Sequence, residues 1–143
     1  MKDRRFFMKR YANASITYAI IAMVCGVFYR EFTKLNGFTG ETALSVMHTH
    51  YFMLGMVFFL LLLLLEKNFS FSNAKTNKVM LVYHVGLNIT GAAFLVRGIL
   101  QVQAAELSSA LTASISGIAG IGHMLLGVSI VLVLLQVKKC VAK

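Results

Sequence analysis

The sequence contains no proline, no tryptophan and only five acidic residues among its 143 residues. Proline interrupts helices, so its absence predicts unbroken helices and argues against a transporter built from discontinuous ones. The apolar segments carry no carboxylate, which argues against a zinc enzyme. No Ser-His-Asp or Cys-His set supports hydrolysis. The informative features that remain are long apolar segments, clustered cations and four histidines.

Hydrophobic residues make up 58% of the chain, and the mean hydropathy is +0.76. A soluble domain of this size cannot bury so much apolar surface. Four segments, approximately residues 11–29, 42–65, 78–102 and 112–137, are long enough to cross a hydrocarbon core. Because helices satisfy their own backbone groups in lipid, the sequence predicts an all-α integral membrane protein. We expect one domain over residues 1–143, a four-transmembrane-helix bundle whose second helix is N-capped by Thr42.

The net charge of +9 is concentrated in three clusters. One precedes the first segment, one lies between the second and third, and one follows the fourth. This is the positive-inside pattern, so both termini are predicted to be cytoplasmic, and the cations are expected to face anionic lipid rather than nucleic acid. Cys25 and Cys140 then lie on opposite sides of the membrane, and no intrachain disulfide is expected. The clustered cations are Lys2, Arg4, Arg5, Lys9, Arg10, Lys67, Lys75, Lys78, Lys138, Lys139 and Lys143.

His48 and His50 lie near the start of the most hydrophobic segment. Ionisable side chains inside a spanning helix are costly, so they indicate function. At roughly 100° per residue the two side chains lie about 200° apart, and one regular helix directs them at two different sites. Imidazole binds haem iron without bringing charge into the membrane, and it also suits copper. Both histidines are therefore predicted metal ligands, of haem b or alternatively of copper. The structural alternative is a polar pair hydrogen-bonded to a neighbouring helix.

Arg97, Tyr51 and His123 are the other candidate cofactor-binding residues. Arg97 is expected within about 8 Å of the outer surface, near the depth of the histidine pair. There it either pairs with haem propionates or snorkels to the interface. Tyr51 is expected to reach the same polar end or to lie at the membrane interface. His123 is expected about two turns deeper than the pair, as a ligand or as a packing residue among glycines.

Two further features are interpreted as structural. His84 lies toward the inner side of the third segment and is expected to form a buried hydrogen bond to a carbonyl or to another residue on the helix of Asn88, rather than to bind a metal. Ser116 and Gly120, four residues apart on the glycine-rich fourth segment, are predicted to let two helices approach closely.

The sequence His48-Thr49-His50-Tyr51, followed by the apolar run Phe52–Phe58, resembles the haem-ligating helix of the haem–copper oxidase catalytic subunit. In that subunit a His-x-His-Tyr segment supplies one histidine to each of two haems. The subunit has twelve helices in three arcs of four, with ligand histidines on the second helix of an arc. The resemblance implies a homotrimer in which each haem is held by His48 of one chain and His50 of the next. The histidine and tyrosine residues of the oxidase copper centre have no counterpart here, so oxygen reduction is not implied.

A second resemblance is carried by Tyr29–Thr33, Thr42–Ser45, Arg97–Ile99 and Ser114–Gly120. With these residues the whole chain resembles a bacterial family of small four-helix membrane proteins of unknown function. The resemblance implies a multi-pass protein of the bacterial cytoplasmic membrane.

The leading hypothesis is a membrane haem-binding protein, similar to a b-type cytochrome, that transfers electrons or binds a diatomic gas. No catalytic residue is predicted, and a haem-binding or sensing protein is favoured over an enzyme. One alternative is an assembly factor that holds copper or haem transiently. Another is a non-catalytic accessory subunit that packs against a larger membrane complex. The sequence leaves the redox partner open.

Overall fold

The computed structural model of the protein describes residues 2–141 and consists of four long helices joined by short connections. The helices span Lys2–Leu35, Leu44–Phe69, Ala74–Val102 and Ser109–Val141. All four are long and apolar enough to cross a membrane. The prediction of an all-helical chain with four candidate spans is thus confirmed. Each predicted segment lies within the corresponding helix, apart from the first two residues of the second.

Consecutive helices pack against each other in chain order, the first on the second, the second on the third and the third on the fourth. Polar side chains join them at one end of the molecule. Arg10 on the first helix donates to Asn77 Oδ1 on the third, and Gln136 Nε2 on the fourth donates to the Phe71 carbonyl at 3.2 Å. We call this the basic end. It contains the start of the first helix, residues 70–73 and the end of the fourth helix, so all three cationic clusters lie there.

Stacked aromatic rings fill the core toward the basic end. The ring of Tyr11 stacks on Phe71 with centroids 6.2 Å apart, and the ring of Tyr18 stacks on Phe59 at 5.7 Å. Phe59 and Tyr83 are 1% and 0% exposed. Helices in lipid gain no hydrophobic free energy by associating, because the lipid tails are as apolar as the side chains. Close packing of this kind and hydrogen bonds between helices hold them together.

The second helix departs from the expectation of unbroken α-helices, because Tyr51–Val57 is π-helical. A π-helix bonds each N–H to a more distant carbonyl and so disturbs the α-helical ladder. Two hydroxyls from neighbouring helices supply hydrogen bonds to carbonyls of this segment. Tyr83 donates to the Leu54 carbonyl, and Ser15 donates to the Met56 carbonyl at 2.9 Å. Side chains that insert into the ladder are a known cause of such irregularity. The absence of proline therefore does not guarantee a regular helix.

The predicted N-cap at Thr42 is wrong by one residue. The helix begins at Leu44 with Ala43 in the N-cap position. The Thr42 hydroxyl donates to the Gly98 carbonyl at 3.0 Å and accepts from the Leu44 N–H at 3.3 Å. Thr42 thus joins the start of the second helix to the third, where Gly98 has no side chain to obstruct Leu44.

The third and fourth helices touch at two glycines. A Cβ on Gly122 would lie 2.3 Å from Thr90 Oγ1 and 3.0 Å from the Gly86 carbonyl oxygen. By contrast, a Cβ on Gly120 would meet nothing within 4 Å. The prediction that Ser116 and Gly120 form the close helix contact is therefore wrong within this chain. Gly122 and Gly86 form it instead, because that face of the fourth helix is turned toward the third.

Candidate functional site: the imidazoles of the second helix

His48 and His50 point to different neighbours around the second helix. The His48 ring lies against the first helix, stacked on Tyr29 with centroids 6.4 Å apart and with Gly26 alongside. The His50 ring lies against the third helix, edge-on to Phe94 at 4.7 Å. Both residues precede the π-helical segment, so the spacing of about 200° expected for an α-helix applies to them.

Hydrogen bonding leaves one nitrogen of His50 available. Its Nδ1 lies 3.0 Å from the Val46 carbonyl oxygen, one turn earlier in the same helix. A carbonyl can only accept, so the neutral ring carries its proton on Nδ1, and Nε2 keeps a free lone pair. Histidines that bind metals are commonly oriented by this type of hydrogen bond.

His123 on the fourth helix has the same arrangement beside His50. Its Nδ1 lies 2.8 Å from the Ala119 carbonyl oxygen, which again leaves Nε2 free. The rings of His123 and His50 are perpendicular, with centroids 5.8 Å apart, and Phe94 contacts both. Two imidazoles with free Nε2 atoms therefore adjoin each other across two helices.

The expectation that His123 lies two turns deeper than the pair is wrong. The expectation assumed that the second and fourth helices begin at the same depth in the membrane, so that depth could be counted in residues from each helix start. At about 1.5 Å per residue, His123 lies roughly 21 Å from Ser109, whereas His50 lies roughly 9 Å from Leu44. Contact between the two rings requires the fourth helix to begin well beyond the start of the second. The helices are staggered, and nothing in a single helix encodes the stagger.

Arg97 lies in an open groove of about 500 Å³ at the end of the molecule opposite the basic end. The groove is lined by the third helix and by the start of the second, including Gln101 and Val46. Val46 is also the residue whose carbonyl orients His50. The Arg97 guanidinium donates to Ser116 Oγ on the fourth helix. Arg97 and His50 thus share Val46 as a neighbour, and Glu41 also lines the groove beside Arg97.

Tyr51 lies in the core, whereas the sequence predicted it at the polar end or at the membrane interface. It is 7% exposed, stacks on Tyr18 with centroids 5.8 Å apart, and donates to Asn88 Oδ1 at 3.3 Å. The third helix makes room for it at Gly91, where a Cβ would lie 2.2 Å from the Tyr51 hydroxyl. Tyr51 directly follows His50, so the turn of the helix directs it into the core.

His84 is hydrogen-bonded inside the molecule, as expected, but its partner is on another helix. Its Nδ1 lies 2.7 Å from the Tyr18 hydroxyl on the first helix, which also accepts from Asn88 Nδ2 at 3.1 Å. The His84 ring stacks on Phe59 with centroids 4.7 Å apart. Tyr18 was not among the predicted site residues. It lies seven residues after Tyr11, and this spacing places both tyrosines on one face of the first helix, which could have predicted that they pack together.

A groove of about 620 Å³ lies between the first and third helices over Met47 and Tyr51. Its lining is almost entirely apolar and contains no histidine. Within the part of the chain that the structure describes, no group of three or more His, Cys, Asp or Glu side chains is placed to hold a metal ion. Both cysteines are free, as expected. The imidazole pairs described above are therefore the candidate ligands.

Residues 8–140 match the protein family described as a protein of unknown function, DUF2871. Because the match covers nearly the whole chain, the protein belongs to this family. No curated protein and no solved structure matches the chain.

Proposed function

We propose that this protein is a membrane haem-binding protein, similar to a b-type cytochrome, that transfers electrons or binds a diatomic gas. In this proposal, haem b is held between adjacent chains of a homotrimer by His48 of one chain and His50 of the next. The basic end faces the cytoplasm of a bacterial cell. The observation that carries the proposal is the divergence of two imidazoles from neighbouring turns of one helix. A helix of this kind suits a position between two flat cofactors, as in the oxidase helix it resembles.

The two histidines fit axial ligation in different ways. His50 is oriented by the Val46 carbonyl, and its Nε2 has a free lone pair. His48 has a buried Nδ1 with no hydrogen-bond partner. A buried polar atom without a partner costs about 1–3 kcal/mol, and because the residues of its own chain enclose Nδ1, a cofactor held between chains cannot contact this atom. Ligation of iron by His48 would therefore use Nε2.

Arg97 fits the recognition of haem carboxylates. Its guanidinium offers several N–H donors in a fixed plane, which suits paired oxygens. The groove beside it is open, and among the side chains that the structure describes, residues 4–141, Arg97 forms no ion pair, although Glu41 lines the same groove. A guanidinium that is not ion-paired leaves N–H donors for a cofactor that carries its own negative charge.

When bound, haem supplies one-electron transfer or coordination of a gas at its iron. The residues of this chain hold and insulate it. The Val46 carbonyl keeps His50 in the tautomer that ligates, Phe94 packs against the His50 ring, and Arg97 neutralises carboxylates. Haem held by both histidines would suit electron transfer, and haem held by one of them would suit the binding of a gas.

The test is the visible absorption spectrum of protein expressed with ample haem, together with its mass in detergent. We expect a Soret band in the wild type and in Thr49→Val, which lies between the histidines and leaves both unchanged. His48→Ala and His50→Ala are expected to lose most of the bound haem. A wild type without a Soret band, or both histidine variants retaining full haem, would overturn the proposal. Unchanged stability and spectrum in both variants would indicate an accessory subunit.

A second candidate function, copper binding, is favoured by the contact between His50 and His123. Imidazole nitrogens bind such metals at about 2.0–2.1 Å, so two rings on one ion have centres roughly 6 Å apart. The observed 5.8 Å matches that spacing. Copper bound by this pair is expected to be lost in His50→Ala and in His123→Ala but retained in His48→Ala. Rapid loss of the metal to a chelator would favour an assembly factor that holds copper transiently.

A further inference from the structure

A second groove with a distinct chemistry lies at the basic end, between the third and fourth helices. It has a volume of about 260 Å³. Its floor is apolar, formed by Val79, Val133 and the half-exposed side chains of Leu132 and Leu135. The rest of its lining consists of one exposed lysine from each helix, Lys75 and Lys139, and of two less exposed uncharged polar side chains, Thr76 and Gln136.

Neither lysine forms an ion pair with a side chain that the structure describes. The ion pair between Arg30 and Glu31 is at the opposite end, and it is the single one that the described residues contain. Among the described side chains of the basic end, Glu66 is the acidic one, but it is 1% exposed and its carboxylate accepts from the Ser72 N–H at 2.9 Å. Within residues 4–141 the two lysines of the groove are therefore exposed and not ion-paired.

Lys75 also violates a local rule of helix structure. It lies in the first turn of the third helix, which contains no acidic residue. The N-terminus of a helix carries partial positive charge, so a lysine there is unfavourable unless an anion is close. Places where a local preference is broken are commonly functional. An anion at this groove would remove the conflict.

We propose that this groove binds an anionic phospholipid, with its phosphate between Lys75 and Lys139 and an acyl chain along Leu132 and Leu135. Basic grooves between spanning helices on the cytoplasmic side suit such headgroups. A soluble anion would leave the apolar floor unused. A neighbouring copy of this chain in the same membrane would bring lysines rather than an anionic group to the groove. The inference does not depend on haem or copper.

The experiment places purified protein in nanodiscs that contain phosphatidylcholine with a minor fraction of phosphatidylglycerol, and counts retained lipids by native mass spectrometry. The test variant is Lys75→Gln/Lys139→Gln. The control is Lys78→Gln/Lys138→Gln, which removes the same charge from the same two helices outside the groove lining. Preferential retention of phosphatidylglycerol is expected to fall more than tenfold in the test variant alone, because only the lysines of the groove would lose charge-assisted hydrogen bonds to the phosphate.

Three results would overturn the proposal. Equal loss in the control variant would indicate general attraction of the basic end to anionic lipid. Equal retention of phosphatidylcholine would indicate an apolar groove without headgroup recognition. Displacement of the retained lipid by millimolar inorganic phosphate would indicate a site for a soluble anion. Circular dichroism of both variants distinguishes any of these results from misfolding.

Discussion

Substitution of Gly122 by alanine tests how the fourth helix is held against the third. The added Cβ would lie 2.3 Å from Thr90 Oγ1 and 3.0 Å from both the Thr90 nitrogen and the Gly86 carbonyl oxygen. Two of these three atoms belong to helix backbone and cannot rotate away. The helices must therefore separate, and overpacking of this kind costs about 1–3 kcal/mol. His123, the next residue, would move away from His50 as a result.

Gly120→Ala is the matched control, two residues away on the same helix. A Cβ at Gly120 meets nothing within 4 Å, so no helix has to move. Alanine is also the better helix former by about 1 kcal/mol, and the control is expected to be neutral or slightly stabilising.

The assay is thermal unfolding in detergent, followed by the circular dichroism of the helices. Gly122→Ala is expected to lower the Tm by several degrees, and Gly120→Ala is expected to leave it unchanged or raise it. The reasoning is refuted if Gly122→Ala is neutral. It is equally refuted if the two variants are destabilised to the same extent, since Gly120 would then be packed.

Three smaller predictions concern hydrogen bonds and charge. Tyr83→Phe removes the donor to the Leu54 carbonyl in the π-helical segment and should cost about 1–3 kcal/mol of stability. Its control is Tyr29→Phe, which removes a hydroxyl that has no hydrogen-bond partner among the described residues and should be neutral. Asn73→Ala removes the cap of the third helix and should cost about 0.5–2 kcal/mol, measured by thermal unfolding; no change would contradict the cap. Under the proposed function, Arg97→Gln should weaken haem binding roughly tenfold to a hundredfold in a spectroscopic titration, and unchanged affinity would exclude Arg97 as the carboxylate partner.

Sequence reasoning succeeded where the answer lies within one helix. Hydropathy and length identify the four spans, because crossing a hydrocarbon core requires a long apolar helix whatever its neighbours are. The divergence of His48 and His50 was equally predictable, since two residues on one helix have a nearly constant angle between them. The same reasoning failed for Tyr51–Val57, where the hydroxyls of Tyr83 and Ser15 reach in from other helices and support a π-helix.

The sequence by itself determined how many helices form, where the cations gather and that the two histidines diverge. Only the tertiary structure decided that His123 adjoins His50, that Tyr51 lies in the core, and that Gly122 rather than Gly120 is the contact glycine. These facts depend on the stagger and rotation of one helix relative to another. Stagger and rotation arise from the fit between two surfaces, whereas periodicity within a chain describes one surface at a time.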